Sequence, residues 1–176
     1  WVLSVSQAQE RARNSRRSRI AFDVYMAVRE EDIEAARLTV RSFSDLTDAC
    51  WTLHVLAPVG MAERLDICPD LKNIRFTAGL LDGQAPHVAF VEPGDRLEKD
   101  ALARIAAVLE AKPETVLLFT DEDRLDPDGA HVGACLKPGW SDDPLLSGDT
   151  VGQPCGFSRP GAVPYTPLPP PAKGLV

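Results

Sequence analysis

The chain has 176 residues, a formal net charge of −7, 44% hydrophobic residues and 26% charged residues. This size and balance fit one globular domain with a proper hydrophobic core, and the acidic charge argues against general nucleic-acid binding. No apolar run approaches the roughly 20 residues that a membrane-spanning helix needs, and no secretory signal is visible. The four cysteines show no C-x-x-C pair and no zinc-type spacing, so we expect them to pack as small apolar residues.

Residues 1–18 form a basic lead-in segment in which arginines alternate with serine and asparagine. We interpret it as a solvated, helix-prone segment. The alternative is a basic segment that binds a partner or lies next to a membrane. Because the chain begins at Trp1 rather than at methionine, we expect either a processed start or a piece of a longer protein.

Short apolar runs rich in β-branched and aromatic residues predict buried strands along the chain. Between the strands, apolar residues recur at the spacing of an amphipathic helix. This alternation predicts right-handed βαβ units and a mainly parallel sheet, which is an α/β fold. The predicted strands cover 20–28, 51–57, 73–77, 87–91 and 115–120, and the predicted helices lie from about Glu31, at 61–65, and around Leu102, Ile105, Ala106 and Leu109.

The chain changes character near its end, where prolines recur from Pro154 onward. So many prolines predict an extended segment that forms neither a helix nor a central strand. We expect this segment to lie across the domain or to link to another part of the protein. The predicted organisation is therefore a lead-in over 1–18, a domain over 19–157 and a proline-rich extended tail over 158–176.

An acidic cluster directly follows the last predicted strand. The apolar run Thr115-Val116-Leu117-Leu118-Phe119 ends in Asp121-Glu122-Asp123, and a turn signal follows at Asp126-Pro127-Asp128-Gly129. A buried strand that leads straight into carboxylates is typical of a central strand whose C-terminal end faces a ligand crevice. Those carboxylates are therefore candidate binding residues.

The segment over 120–148 resembles the family-2 glycosyltransferases, in particular a bacterial branch that reads roughly "SDEDKID-DG…FKPDWSPDLLLS". The matching residues are Asp121 to Asp126, Asp128-Gly129, Leu136 to Ser141 and Asp143 to Ser147. An acidic loop alone would account for the carboxylates but not for the later matches. The resemblance covers about 19–157 and implies the nucleotide-binding half of a GT-A fold, a shortened Rossmann-like sheet flanked by helices.

Such enzymes transfer a sugar from a nucleotide-sugar donor, and Mg²⁺ or Mn²⁺ neutralises the diphosphate that leaves. The family's first strand runs into a "PVYN"-like turn, where this chain has residues 27–30, Ala-Val-Arg-Glu. Its second strand ends in "DDGS", where this chain has residues 57–60, Ala-Pro-Val-Gly. The helix that lines the donor site is also missing, since residues 77–86 leave room only for a turn. Every donor-binding motif is thus eroded or absent.

The metal loop of the family carries a D-x-D pair. Here Glu92 takes the place of the first acid, Gly94 that of the second, and Asp95 survives. The resemblance implies that Glu92 and Asp95 would bind the cation. Arg96 places a positive charge beside them, and the alternative is that Asp95 caps the helix that follows.

Two functions remain open. The first is a degenerate glycosyltransferase domain, kept as a binding or scaffolding module for a glycan or a partner protein of a glycan-assembly system. Its binding surface would comprise Asp121, Glu122, Asp123 and Trp140, with acids on sugar hydroxyls and the indole on a sugar ring; the alternative for these four is that they anchor loops. The second is an active, divergent family-2 enzyme with its ion on Glu92 and Asp95. No catalytic residue can be assigned, and we expect a cytoplasmic location, with any membrane association supplied by other parts of the protein.

Overall fold

The computed structural model describes residues 19–47, 50–58, 60–65, 72–77, 82–126, 128–135 and 155–159. In these residues the helices are α1 (Ile33–Ser44), α2 (Met61–Arg64) and α3 (Ala101–Ala111), with a 3-10 turn at Glu30–Asp32 before α1. The strands are β1 (Ala21–Ala27), β2 (Cys50–Leu56), β3 (Ile74–Thr77), β4 (His87–Phe90), β5 (Leu117–Phe119), β6 (Glu122–Leu125), β7 (His131–Cys135) and β8 (Cys155–Ser158). The predicted lead-in over 1–18 and the tail beyond residue 159 lie outside the described residues.

The main sheet has the strand order β3-β2-β1-β4-β8-β5. Strands β3, β2, β1 and β4 run parallel, and β8 is antiparallel to both β4 and β5. The order reverses at β1, because β2 lies on one side of it and β4 on the other. This arrangement confirms the predicted α/β fold, a Rossmann-like and mainly parallel sheet with flanking helices.

One face of the sheet carries the hydrophobic core. Side chains alternate along a strand, so Phe22, Val24 and Met26 of β1 point to the same face, and each is at most 2% exposed. The buried residues of α1 and α3 belong to the same apolar cluster, which confirms the helical spacing seen in the sequence. These residues are Ile33, Ala36, Val40, Phe43, Leu102, Ile105, Ala106 and Leu109.

The opposite face of the sheet is polar at its centre. Asp23 and Tyr25 alternate with the core residues of β1, and both are buried together with His54 of β2. Residues 82–86, which we call the strap, have no helical turns and lie on this face, since Gly83 and Ala85 donate backbone hydrogen bonds to Tyr25 and Asp23. Among the described residues of the predicted turn, the chain therefore crosses this face without a helix.

The expectation that the chain from Pro154 onward forms no central strand is wrong. Strand β8 lies inside the main sheet, where Gly156 pairs with Ala89 on one side and with Leu118 on the other. Its residues contain no proline, so every backbone N–H can take part in the ladder. Prolines flank this strand without interrupting it.

The acidic segment after β5 is also not a simple loop, because Glu122 begins β6, which forms an antiparallel hairpin with β7. The predicted turn signal joins the two strands. The carboxylate of Asp126 accepts hydrogen bonds from the backbone N–H groups of Asp128 (3.0 Å) and Ala130 (2.8 Å). Gly129 supplies the positive φ of 83° that closes the turn.

Replacing Phe43 by alanine tests the position of the core. Phe43 is fully buried and meets Trp51 edge-to-face at a centroid distance of 5.1 Å, so we expect Phe43→Ala to lower the free energy of unfolding by about 3–5 kcal/mol. Leu38 lies on the same helix but is 39% exposed. Leu38→Ala should change stability by only about 0.5 kcal/mol in the same urea titration. Equal losses for the two variants would contradict this assignment of the buried face.

Candidate functional site

The sheet brings two acidic segments to the same edge. The last residues of β4 and β5, Phe90 and Phe119, both pair with Cys155 of β8, so these strands end at the same level. Residues 91–95 continue from β4 and residues 120–123 from β5. We call the carboxylates that follow the acidic edge: Glu92, Asp95, Asp121, Glu122 and Asp123.

The loop that carries Glu92 and Asp95 closes on itself. The Asp95 carboxylate accepts the backbone N–H of Glu92 at 2.7 Å, and the backbone N–H of Asp95 donates to the Glu92 carbonyl at 3.1 Å. Gly94 makes the turn possible with a φ of 104°. Asp95 does not sit at the cap position of α3, which begins only at Ala101. Its carboxylate therefore shapes the loop, and the predicted capping role does not occur.

A buried threonine ties this loop to α1. The hydroxyl of Thr39 accepts the backbone N–H of Gly94 at 2.9 Å and lies 3.3 Å from the Glu92 carbonyl. Sequence reasoning missed Thr39, although a polar residue among the apolar positions of an amphipathic helix is a signal for such an anchor. The position of Glu92 and Asp95 is thus set by the helix as well as by the strand.

Burial raises the pKa of the Asp95 carboxyl, and the nearby negative charges of Glu92 and Glu122 raise it further, while the hydrogen bond from the Glu92 N–H acts in the opposite direction. Glu122 comes from the hairpin and Glu92 from the loop after β4. The structure therefore brings these three of the predicted site residues into one electrostatic neighbourhood.

Asp123 has a different environment. One carboxylate oxygen of Asp123 lies 2.9 Å from Nδ1 of His131 on β7, and the other accepts the backbone N–H of Arg124 at 2.8 Å. Its carboxylate thus stabilises the hairpin while remaining at the surface. Asp121 is exposed, and Trp140 lies outside the described residues.

At the edge beside β1 and β2, where the resemblance implies donor contacts, carboxylates follow β1 at Glu30, Glu31 and Asp32 but do not follow β2 at Ala57 and Pro58. β2 leads into Ala57 and Pro58, which offer no side-chain oxygen. After β1, the guanidinium of Arg29 is engaged by Glu31 at 3.3 Å and by Asp32 at 2.8 Å. The positive charge of Arg29 is therefore already paired with neighbouring acids.

Within the described ranges, no group of three or more His, Cys, Asp or Glu side chains is arranged to hold a metal ion. The same part of the chain contains no helix long and apolar enough to cross a membrane. Glu92 and Asp95 remain a pair of loop acids with Glu122 as their acidic neighbour.

The fold places the chain among Rossmann-like α/β domains, in which ligands bind outside the carboxyl ends of the strands. No protein-family model matches the chain. Over 64 residues, or 36% of the chain, it is 45% identical to the O-antigen biosynthesis protein RfbC of Myxococcus xanthus. Over 59 residues, or 34% of the chain, it is 34% identical to the uncharacterized protein y4gI of Sinorhizobium fredii. The matched stretches span only 5% and 6% of those two proteins.

The raised pKa of Asp95 predicts a pH-dependent effect of Asp95→Asn. The pKa of Asp95 is higher in the folded protein than in the unfolded chain. Asp95 therefore stabilises the fold at pH values below its unfolded-state pKa, and this stabilisation is lost as the pH rises through its folded-state pKa. The asparagine keeps an oxygen for the Glu92 N–H and removes the charge. We therefore expect Asp95→Asn to be more stable than the original chain at pH 7, with the difference shrinking as the pH falls towards 4.

Urea unfolding across this pH range measures the effect, with Glu98→Gln as a control that removes one exposed carboxylate nearby. A difference that grows towards low pH would contradict the electrostatic environment of Asp95.

Proposed function

We propose that this chain is a glycosyltransferase-like domain of the family-2, GT-A type that acts as a binding or scaffolding module in polysaccharide assembly, with little or no transferase activity of its own. The observation that carries the proposal is the local 45% identity to a protein named for O-antigen biosynthesis. The Rossmann-like sheet and the resemblance of residues 120–148 to the family support the same reading.

The geometry of the edge favours a module over an enzyme. A nucleotide-sugar donor needs contacts to its base and ribose, and the ends of β1 and β2 present Ala57, Pro58 and an Arg29 already paired with acids. The resemblance implies that the Asp95 carboxylate would bind a cation, and one oxygen of that carboxylate accepts the Glu92 N–H. Little of the chemistry for donor binding is left at these positions.

The hairpin side of the edge offers chemistry suited to a glycan. Carboxylates accept hydrogen bonds from sugar hydroxyls, and a charged acceptor makes such bonds stronger than neutral ones. Asp121 and Asp123 are both exposed, and His131 adds a ring nitrogen beside Asp123. We assign glycan contacts to Asp121, Glu122 and Asp123, and we retain Trp140 as the stacking residue that the sequence suggests. A protein partner of the same assembly system is the other ligand we would expect here.

One observation favours a second candidate, an active and divergent transferase. Burial, and to a smaller extent the carboxylates of Glu92 and Glu122, raises the pKa of Asp95, and a divalent cation would relieve the repulsion among the three carboxylates. Mg²⁺ commonly takes only one or two protein carboxylates together with waters and substrate phosphates, so Glu92 and Asp95 would suffice. The bound cation would neutralise the departing diphosphate, while Glu92 and Asp95 would hold it at the edge.

Glycan binding by the hairpin tests the module. We expect the 176-residue chain to bind isolated O-antigen-type polysaccharides, and Asp121→Asn/Asp123→Asn to weaken binding by about tenfold, which corresponds to about 1.4 kcal/mol. Asp128→Asn serves as the control, because Asp128 is an exposed acid at the tip of the same hairpin. Surface plasmon resonance measures all three. Unchanged affinity in the double variant, or an equal loss in the control, would contradict the assigned surface.

A further inference from the structure

A buried ionic cluster lies on the polar face of the sheet, away from the acidic edge. The Asp23 side chain is only 6% exposed. It accepts a hydrogen bond from Nε2 of His54 at 2.9 Å and another from the backbone N–H of Ala85 at 2.7 Å. It is also paired with the guanidinium of Arg159. We call Asp23, His54, Ala85 and Arg159 the Asp23 cluster.

Besides His54 of β2, the cluster joins three parts of the chain that are far apart in sequence. Asp23 belongs to β1, Ala85 belongs to the strap, and Arg159 directly follows β8. Arg159 contacts the strap as well as the carboxylate, since its Nε donates to the Ala85 carbonyl at 2.6 Å and its backbone N–H donates to the Pro86 carbonyl at 2.7 Å. The same arginine thus holds the strap and the end of β8 against β1.

The strap can lie this close only because residue 83 is glycine. A Cβ atom added at Gly83 would stand 2.0 Å from Oδ2 of Asp23, far inside any permitted contact. The backbone N–H of Gly83 donates to the Tyr25 hydroxyl at 2.9 Å. The strap is therefore fitted to this carboxylate by shape as well as by hydrogen bonds.

The buried charges of Asp23 and Arg159 couple the contacts of the strap to those at the end of β8. A buried carboxylate without a compensating charge is strongly unfavourable, and removing one partner of a buried pair leaves that cost in place. The ring of Tyr25 stacks on His54 at 4.6 Å, and Nδ1 of His54 is buried with no hydrogen-bond partner in the described part of the chain. Among the contacts that the described residues make, withdrawal of Arg159 would therefore leave Asp23 with its hydrogen bonds from His54 and Ala85 alone.

We propose that the strap and the end of β8 form one conformational unit, which opens and closes together and is locked by the Asp23–Arg159 pair. Strand β8 lies between β4 and β5, whose ends carry Glu92 and Asp121. Ser158 pairs with His87, the first residue of β4, and its backbone N–H donates to the Val116 carbonyl just before β5. Opening of this unit therefore frees the starts of β4 and β5, at the other end of these strands from the acidic edge. The cluster is therefore a conformational device at the end of β4 opposite the acidic edge.

Native-state hydrogen exchange of the 176-residue chain in low denaturant tests the proposal. The amides of Gly83, Ala85, Ser158 and Arg159 all donate hydrogen bonds in the closed arrangement. We expect these amides to share one opening free energy and one denaturant dependence, below those of the Val28 amide, which donates to Leu56 between β1 and β2. Separate opening free energies for the strap and for β8 would overturn the proposal.

Two variants each disturb one of the two segments of the unit. Arg159→Met removes the charge at the end of β8 and should speed exchange of the Gly83 and Ala85 amides by about tenfold or more, whereas Arg124→Met, at an exposed arginine of β6, should not. Gly83→Ala displaces the strap without changing a charge and should speed exchange of the Ser158 amide to a similar extent.

An effect of either variant that stays confined to its own segment would overturn the proposal. So would an equal rise at Val28, which would mean that the whole domain opens at once. Where Arg159→Met does not fold, Gly83→Ala and the exchange of the unmodified chain decide the question.

Discussion

The burial of the Asp23 carboxylate in the middle of β1 is the constraint on which much of the structure depends. On one face, β1 contributes Phe22, Val24 and Met26 to an apolar core beneath α1 and α3. On the other face, the carboxylate has to be matched by hydrogen bonds and a positive charge. Arg159 and the strap meet this requirement, so the described residues that cover this carboxylate are an extended segment and the end of a strand. The backbone ladder holds β8 between β4 and β5 and sets the ends of these two strands at a common level.

Local patterns in the sequence predicted most strands of the main sheet, but they did not predict β8. The apolar runs of β1 to β4 and the helical spacing of α1 and α3 identified these elements, with ends displaced by one or a few residues. β8 has four residues, one of them a glycine, so its own pattern is weak, and its pairing with β4 and β5 is a long-range interaction. The prolines around it misled the prediction because they flank the strand. The β6–β7 hairpin was signalled only by its turn.

At the candidate site, too, the residues could be predicted from the sequence, but the long-range contacts between them could not. The acids at residues 92, 95 and 121–123 were evident in the sequence, since each group follows a predicted strand. That Glu122 acts on Asp95 depends on the equal level of β4 and β5, which β8 creates. Thr39 and Asp23 carried an available signal, a polar residue inside an apolar pattern, yet their partners are distant in sequence and could not be named. The absence of a side-chain oxygen at Ala57 and Pro58 was readable directly from the sequence.

We propose that the acidic edge binds a glycan or a protein partner without binding a nucleotide-sugar donor. Calorimetric titration of UDP, UDP-sugars and dTDP-sugars into the 176-residue chain, with and without Mn²⁺, tests it most directly. We expect no binding heat for any donor under either condition, and no ligand-induced rise in thermal stability. Mn²⁺-dependent binding with a dissociation constant of about 1 μM, or about −8.2 kcal/mol, that disappears in Asp95→Ala would contradict it and establish a divergent transferase.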